Sequence, residues 1–218
     1  PTFYVNLGPI KLKQILKHIS ADILGLDPNA EFNEFLGLDK VKDVENTISF
    51  VYENFQDEIN LPKKTNLIIS KRDKEKFSKF DNLIIVDDVH LAVAKLSSIF
   101  YRDINDKDLK QHNRDQISDG CYISDTAIIK KGVIIGKNSI IKDGAVINNN
   151  CILGENSLIE ENAVLSNTII GDNVRVGRNS SIGQPGFGFA INNSSNYNIY
   201  HLGRVILQSN VSIGANCC

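Results

Sequence analysis

Hydrophobic positions in the second half of the chain recur with a period of six residues. Counting by sixes from position 117 finds an aliphatic side chain at every repeat as far as position 159. The register continues after a one-residue deletion that follows Leu165, and again after a longer interruption that follows Ile182. A fixed short period of this kind indicates a repeat architecture. The aliphatic column consists of Ile117, Ile123, Ile129, Ile135, Ile141, Ile147, Leu153, Ile159, Leu165, Ile170, Val176, Ile182, Leu207 and Ile213.

Two further columns accompany the aliphatic one. Four places after each aliphatic position stands a small or medium-sized residue, as at Cys121, Ala145 and Cys217. Coils stacked about 4.8 Å apart leave room for only such side chains in the corners of a narrow prism. Three places after each aliphatic position stands glycine or asparagine, with Thr126 as the main exception. These two residue types tolerate positive φ best, so the pattern predicts a triangular, left-handed parallel β-helix.

The first part of the chain has the periodicities of a small α/β domain. Pro9 is suited to the first position of a helix. Two apolar, β-branched runs, at 67–69 and 83–86, predict buried strands. Asp87 or Asp88 is the expected N-cap of an amphipathic helix that follows the second run.

These patterns divide the chain into an α/β domain at 1–101, a polar linker at 102–116 and a β-helix at 117–218. A loop is inserted in the β-helix at 184–203, where two phenylalanines stand among glycines and a proline. We expect this loop to be folded and docked, and to carry function, because insertions in repeat proteins project from one face.

Charge and cysteine usage exclude several classes of function. The formal net charge is -2 and the pI about 6.1, so no basic field is available to bind nucleic acid. No apolar stretch approaches the roughly 20 residues of a membrane span and no signal peptide is evident, so we expect a cytoplasmic protein. The four cysteines lack metal-ligand spacing, and three of them fall in the small-residue column. We therefore expect no metal site and no disulfide framework.

The inserted loop carries a resemblance to a known family. Residues 182–190 (IGQPGFGFA), with 202–205 (LGRV) and 211–216 (VSIGAN), resemble the UDP-3-O-acylglucosamine N-acyltransferases of lipid A biosynthesis. The resemblance implies transfer of a 3-hydroxyacyl group from acyl carrier protein to the 2-amine of a UDP-sugar. It also implies a homotrimer without a permanently bound cofactor. Its substrate and acyl-chain loop corresponds to Gly186, Phe187, Gly188 and Phe189.

The same resemblance places the general base, a histidine, in a later repeat than any present here. That repeat would follow an Ile-Asp-Arg-Gly stretch expected directly after Cys218. None of His18, His90, His112 and His201 matches the base, so no catalytic residue is expected within these 218 residues. We accordingly expect the chain to be truncated before the catalytic histidine, with the C-terminal part of the β-helix missing.

The N-terminal domain is expected to bind uridine. The family has Ser/Thr-Phe followed by an asparagine and an aromatic residue, and Ser49-Phe50-Val51-Tyr52-Glu53-Asn54-Phe55 is similar with a shift. The candidate uridine-binding residues are Phe50, Tyr52, Asn54 and Phe55, since aromatic faces stack on a base without further chemistry. The alternative is that Phe50 belongs to the core of a strand.

Two other functions are open at this level. A nucleotide-sugar N-acetyltransferase that uses acetyl-CoA would share the hexapeptide repeats and the trimer. A non-catalytic trimeric hexapeptide scaffold, or a remnant of an enzyme, would also accommodate the shifted uridine motif and the missing base. A carbonic anhydrase of the β-helix type is disfavoured, because it needs three zinc-binding histidines and the repeat region contains only His201.

Overall fold

The protein is described by a computed structural model at residues 3–53, 55, 60–104, 107, 116–192 and 195–218. The chain forms two compact units. The first contains the residues up to Tyr4 together with Asp103–Gly186 and His201–Cys218, and the second contains Val5–Arg102 and Phe187–Tyr200.

A five-stranded sheet organises the second unit. Its strands are β3 (Asp22–Leu24), β5 (Glu34–Gly37), β6 (Thr47–Phe50), β7 (Asn66–Ser70) and β8 (Asn82–Val86). Their order is β3-β8-β7-β6-β5, with β3 antiparallel to β8 and the other neighbours parallel. The central strand β7 is buried along its whole length, as expected for a parallel strand covered on both faces.

Two helices and two short strand pairs complete this part of the chain. Helix α2 (Val89–Phe100) begins at Asp88, whose carboxylate accepts a hydrogen bond from the Leu91 N–H at 2.9 Å, which confirms the expected cap. Helix α1 (Leu12–His18) begins three residues after Pro9, so the predicted start was wrong. Residues 10 and 11 instead form a short strand, because their backbone pairs with that of residues 31 and 32. The pairs are β1 (Tyr4–Asn6) with β9 (Tyr101–Asp103), and β2 (Ile10–Lys11) with β4 (Glu31–Phe32).

The repeat region is a left-handed parallel β-helix, as the sequence predicted. Each short strand pairs in parallel with the strand one coil further on, which gives three sheets of five, four and four strands. The first sheet contains β10 (Tyr122–Ile123), β13 (Ile140–Ile141), β16 (Leu158–Ile159), β19 (Arg175–Val176) and β24 (Ser212–Ile213). The second contains β11 (Ile128–Ile129), β14 (Val146–Ile147), β17 (Val164–Leu165) and β20 (Ser181–Ile182). The third contains β12 (Ile134–Ile135), β15 (Ile152–Leu153), β18 (Thr168–Ile170) and β23 (Val205–Leu207).

The columns read from the sequence have the expected places in the prism. The aliphatic and small columns meet in one core, in which Ile141, Ala145 and Cys151 are fully buried. Glycine or asparagine with positive φ occupies the third column from Gly120 to Asn216. Thr126, the exception, uses its hydroxyl to accept a hydrogen bond from the Gly144 N–H of the next coil at 3.1 Å.

One left-handed residue was not anticipated by the period of six. Asn167 has φ 48° at the point where the repeat is one residue short. Its side-chain amide donates to the Gly183 carbonyl at 3.2 Å. The shortened coil therefore still turns through a left-handed corner, and the register of β18 with β15 is kept.

The insertion forms an antiparallel hairpin of β21 (Phe189–Asn192) and β22 (Ser195–Asn198). The hairpin packs on α2 within the second unit. Ala190 is buried there, the Lys95 ammonium lies 5.0 Å from the centre of the Tyr197 ring, and the Tyr200 N–H donates to the Ser97 hydroxyl at 3.2 Å. The loop is therefore folded and docked, as expected.

Candidate functional site

A pocket of about 490 Å³ lies at the end of β6 and contains three of the four candidate uridine-binding residues. Phe50, Tyr52 and Phe55 line it. Asn54, the fourth candidate, lies outside the described residues. The remaining lining residues are Leu38, Asp39, Val51, Asn60 and Leu61.

The aromatic rings of this pocket form a connected series. The Phe50 ring lies 5.2 Å from Phe35 and 5.1 Å from Tyr52 between ring centres, and Tyr52 lies 5.9 Å from His90. Tyr52 remains 41% exposed and Phe50 is half-buried, so both present ring surface that is not used in the core. Partial burial raises the pKa of the Tyr52 phenol above its usual value, so the phenol stays protonated to a higher pH than a free tyrosine. An aromatic surface of this kind can stack on a planar base.

The floor of the pocket packs against the core of the sheet. Val51, Leu67 and Phe77 belong to one buried cluster, and Leu38, Phe55 and Leu61 pack against it while remaining partly exposed. The Val51 N–H continues the ladder of β6 by donating to the Ile68 carbonyl at 3.0 Å. The backbone that carries Phe50 and Tyr52 is therefore held by the sheet.

Two polar side chains stand at the edge of the aromatic surface. Asp39 pairs with Lys40 at 2.8 Å, and the hydrogen bond from that lysine holds the pKa of the carboxyl below its ordinary value. Asn60 offers an amide that can both donate and accept hydrogen bonds. Sequence reasoning missed Asp39, Asn60, Leu38 and Leu61. They come from other segments than the motif, and no spacing connects those segments.

The proposed acyl-chain loop is less enclosed than the aromatic pocket. Phe187 is 95% exposed, and its ring contacts Phe189 at 5.0 Å between centres in a T-shaped arrangement. Phe189 begins β21 and is half-buried. A methyl group at Gly186 would lie 2.8 Å from Cε1 of His201, so the glycine permits this imidazole to approach the backbone. The expected docking thus applies to the hairpin and not to the Phe187 ring.

The three described histidines occupy separate places. His18 ends α1, His90 lies in the first turn of α2, and His201 is exposed beside Gly186. His112 lies outside the described residues.

A charged network runs along one corner of the β-helix. Glu160 is nearly buried and accepts from Arg175 at 2.8 Å, while Glu161 pairs with Arg178 at 2.8 Å and with Lys142 at 3.4 Å. The hydrogen bond from Arg175 lowers the pKa of Glu160. Both arginines therefore bridge successive coils.

Neither the buried thiol of Cys151 nor a cluster of possible metal ligands supplies a further candidate site in the described part of the chain. Burial raises the pKa of the Cys151 thiol to about 11, so it remains protonated and unreactive near neutral pH. Over the described ranges, no group of three or more His, Cys, Asp or Glu side chains is arranged to hold a metal ion. No helix of the described chain is both long and apolar enough to cross a membrane.

Comparison with known proteins bears on the repeat half of the chain. No curated protein matches the sequence. Residues 113–218, just under half of the chain, match the family model of the GMPPB C-terminal domain. That domain is a left-handed β-helix of the hexapeptide-repeat type found in nucleotide-sugar pyrophosphorylases. The β-helix of this chain is thus similar to a domain of nucleotide-sugar enzymes.

Proposed function

We propose that this chain binds a UDP-sugar in the aromatic pocket and takes part in its N-acylation. In that reaction a 3-hydroxyacyl group passes from acyl carrier protein to the 2-amine of UDP-3-O-acylglucosamine. The observation that carries the proposal is the convergence of Phe50, Tyr52 and Phe55 on one pocket. Stacking of a base on such side chains contributes about 1–3 kcal/mol per base.

The β-helix supports the same proposal from a different direction. Its similarity to a domain of nucleotide-sugar enzymes agrees with a nucleotide-sugar substrate. One wall of the prism also carries an outward ladder of isoleucines in register, at Ile134, Ile152, Ile169 and Ile206. Ile134 is 41% exposed and Ile206 is 63% exposed. We expect walls of this kind to pack against other copies of the chain in a homotrimer.

The chemistry of N-acylation needs a proton acceptor. The amine attacks the thioester carbonyl, an amide bond forms and the carbon–sulfur bond breaks. The proton that the amine gives to a general base passes on to the departing thiolate of the carrier. His18 and His90 belong to helices of the α/β unit, and His201 lies within the inserted segment at 184–203. We assign the role of the base to none of these three histidines.

Binding is tested with the 218-residue chain and UDP-N-acetylglucosamine in a thermal unfolding experiment. A ligand present at 100 times its Kd stabilises the folded state by about 2.7 kcal/mol, which raises the Tm measurably. We expect Phe50→Ala and Tyr52→Ala to remove most of this increase. Tyr122→Ala is the matched control, since Tyr122 is an exposed aromatic residue on the β-helix.

Two results would count against the proposal. If the parent chain shows no increase in Tm with the UDP-sugar, the pocket is not a nucleotide site. If binding is observed but the chain loaded with the UDP-sugar does not retain acyl carrier protein in a pull-down experiment, the assignment to acyl transfer is wrong. Product formation is not required, because no described histidine is assigned as the base. Acetyl-CoA replaces the carrier in a parallel binding experiment, which separates N-acylation from N-acetylation.

A further inference from the structure

The segment that crosses from β7 to β8, residues 71–81, carries a small excess of positive charge in a chain whose net charge is -2. It contains five lysine or arginine residues and three acidic residues. Lys71 pairs with Asp87 at 3.0 Å. Phe77 and Phe80 anchor the segment in the core, and the lysines around them are exposed. The crossover therefore presents exposed ammonium groups.

One lysine of this segment contacts the backbone of a residue that lines the aromatic pocket. The Lys76 ammonium donates a hydrogen bond to the carbonyl oxygen of Phe55, which lines the pocket. The same ammonium lies 5.6 Å from the centre of the Phe77 ring, which is its second contact. An ammonium group has three N–H donors, and the Phe55 carbonyl uses one of them. The other two can bind an anion at the edge of the pocket.

We infer that Lys76 binds the phosphate groups of a nucleotide whose base stacks in the aromatic pocket. This inference rests on the proposed nucleotide site and adds the group that recognises the charged part of the ligand. Phosphate binding by lysine uses a charge-assisted hydrogen bond, which is stronger than a neutral one.

The negative charge of Asp39 disfavours phosphate binding at this pocket, so Asp39 is included in the test. Its carboxylate lines the same pocket, and its lowered pKa keeps it charged at neutral pH. The Lys40 ammonium at 2.8 Å offsets that charge locally. A phosphate is therefore expected to bind at the Lys76 side of the pocket, and Asp39→Asn is expected to strengthen UDP binding.

The experiment compares uridine with UDP by calorimetric titration of the full chain at low and high salt. We expect UDP to bind about tenfold more tightly than uridine at low salt, with the ratio falling as salt screens the charges. Lys76→Gln should remove most of this ratio, because it weakens the binding of UDP more than that of uridine, and Lys76→Arg should restore the ratio in part. Lys79→Gln is the matched control, because the Lys79 ammonium lies over the ring of Phe80 in the same way.

The possible outcomes separate this inference from the proposed function. Equal affinities of the parent for uridine and UDP, or an unchanged UDP affinity in Lys76→Gln, overturn the phosphate assignment alone. The same holds if Lys79→Gln weakens UDP binding as much as Lys76→Gln does. The loss of affinity would then come from the summed positive charge of the nearby lysines and not from a contact made by Lys76. If the parent binds neither ligand, the nucleotide site itself is wrong, and the role of Lys76 falls with it.

Discussion

A single methyl group at Gly144 tests the left-handed corners of the β-helix. Gly144 has φ 68°, and a Cβ atom there would lie 2.2 Å from Oδ1 of Asn162 in the next coil. An L-residue in the left-handed region costs about 1–2 kcal/mol. The obstructing atom is the end of the Asn162 side chain, which must leave its rotamer at a cost of about 0.5–1.5 kcal/mol. We therefore expect Gly144→Ala to lower the free energy of unfolding by about 1.5–3.5 kcal/mol, the sum of these two costs.

The assay is urea unfolding of the full chain, followed by far-ultraviolet circular dichroism. Gly203→Ala is the control, because no atom of the described residues lies within 4 Å of a Cβ built at Gly203. We expect this control to stay within about 0.5 kcal/mol of the parent. Adding Asn162→Gly to Gly144→Ala removes the obstructing side chain, so the packing part of the loss should be recovered and the φ part should remain. If Gly144→Ala is as stable as Gly203→Ala, the corner geometry argued above is refuted.

Two further predictions concern titratable groups of the β-helix. The hydrogen bond from Arg175 lowers the pKa of Glu160 in the folded state. This pairing therefore stabilises the fold above the unfolded pKa of about 4.3. The stabilisation is lost as the pH falls through the lower folded pKa. The urea midpoint of the parent should thus fall more steeply than that of Glu160→Gln below about pH 4.3, and parallel curves would contradict the pairing. Since burial raises the pKa of Cys151 to about 11, an alkylating reagent at pH 8 should modify exposed Cys218 first and Cys151 only after unfolding. Equal labelling rates, measured by mass spectrometry, would show that Cys151 is accessible.

The β-helix could be predicted from the sequence because its rules are local and repeated. Every coil needs an inward aliphatic residue, a small corner residue and a left-handed residue, and each requirement limits the choice of side chain at a fixed spacing. Asn167 shows the limit of this reasoning. Where the repeat loses one residue, the period no longer indicates which residue forms the corner, and the contact with Gly183 in the next coil identifies it.

The start of α1 could not be predicted from propensity alone. Pro9 suits the first position of a helix, yet Ile10 and Lys11 pair with Phe32 and Glu31 of β4. That pairing joins segments about twenty residues apart, and α1 begins directly after the last paired residue. The preference of proline for the start of a helix is overridden by hydrogen bonds to a partner strand, and that strand lies outside any short window of sequence.

The candidate site divides in the same way between local and non-local information. The repeat fold and the aromatic motif at Phe50, Tyr52 and Phe55 could be predicted from the sequence, because both depend on residues close together in the chain. Only the tertiary structure brought Asp39 and Asn60 to the same pocket and placed Lys76 against the Phe55 carbonyl. These contacts arise from the parallel order of β5, β6 and β7 and from the crossover that follows β7. Such an arrangement depends on which strands become neighbours, and strand order is set by the packing of the whole sheet.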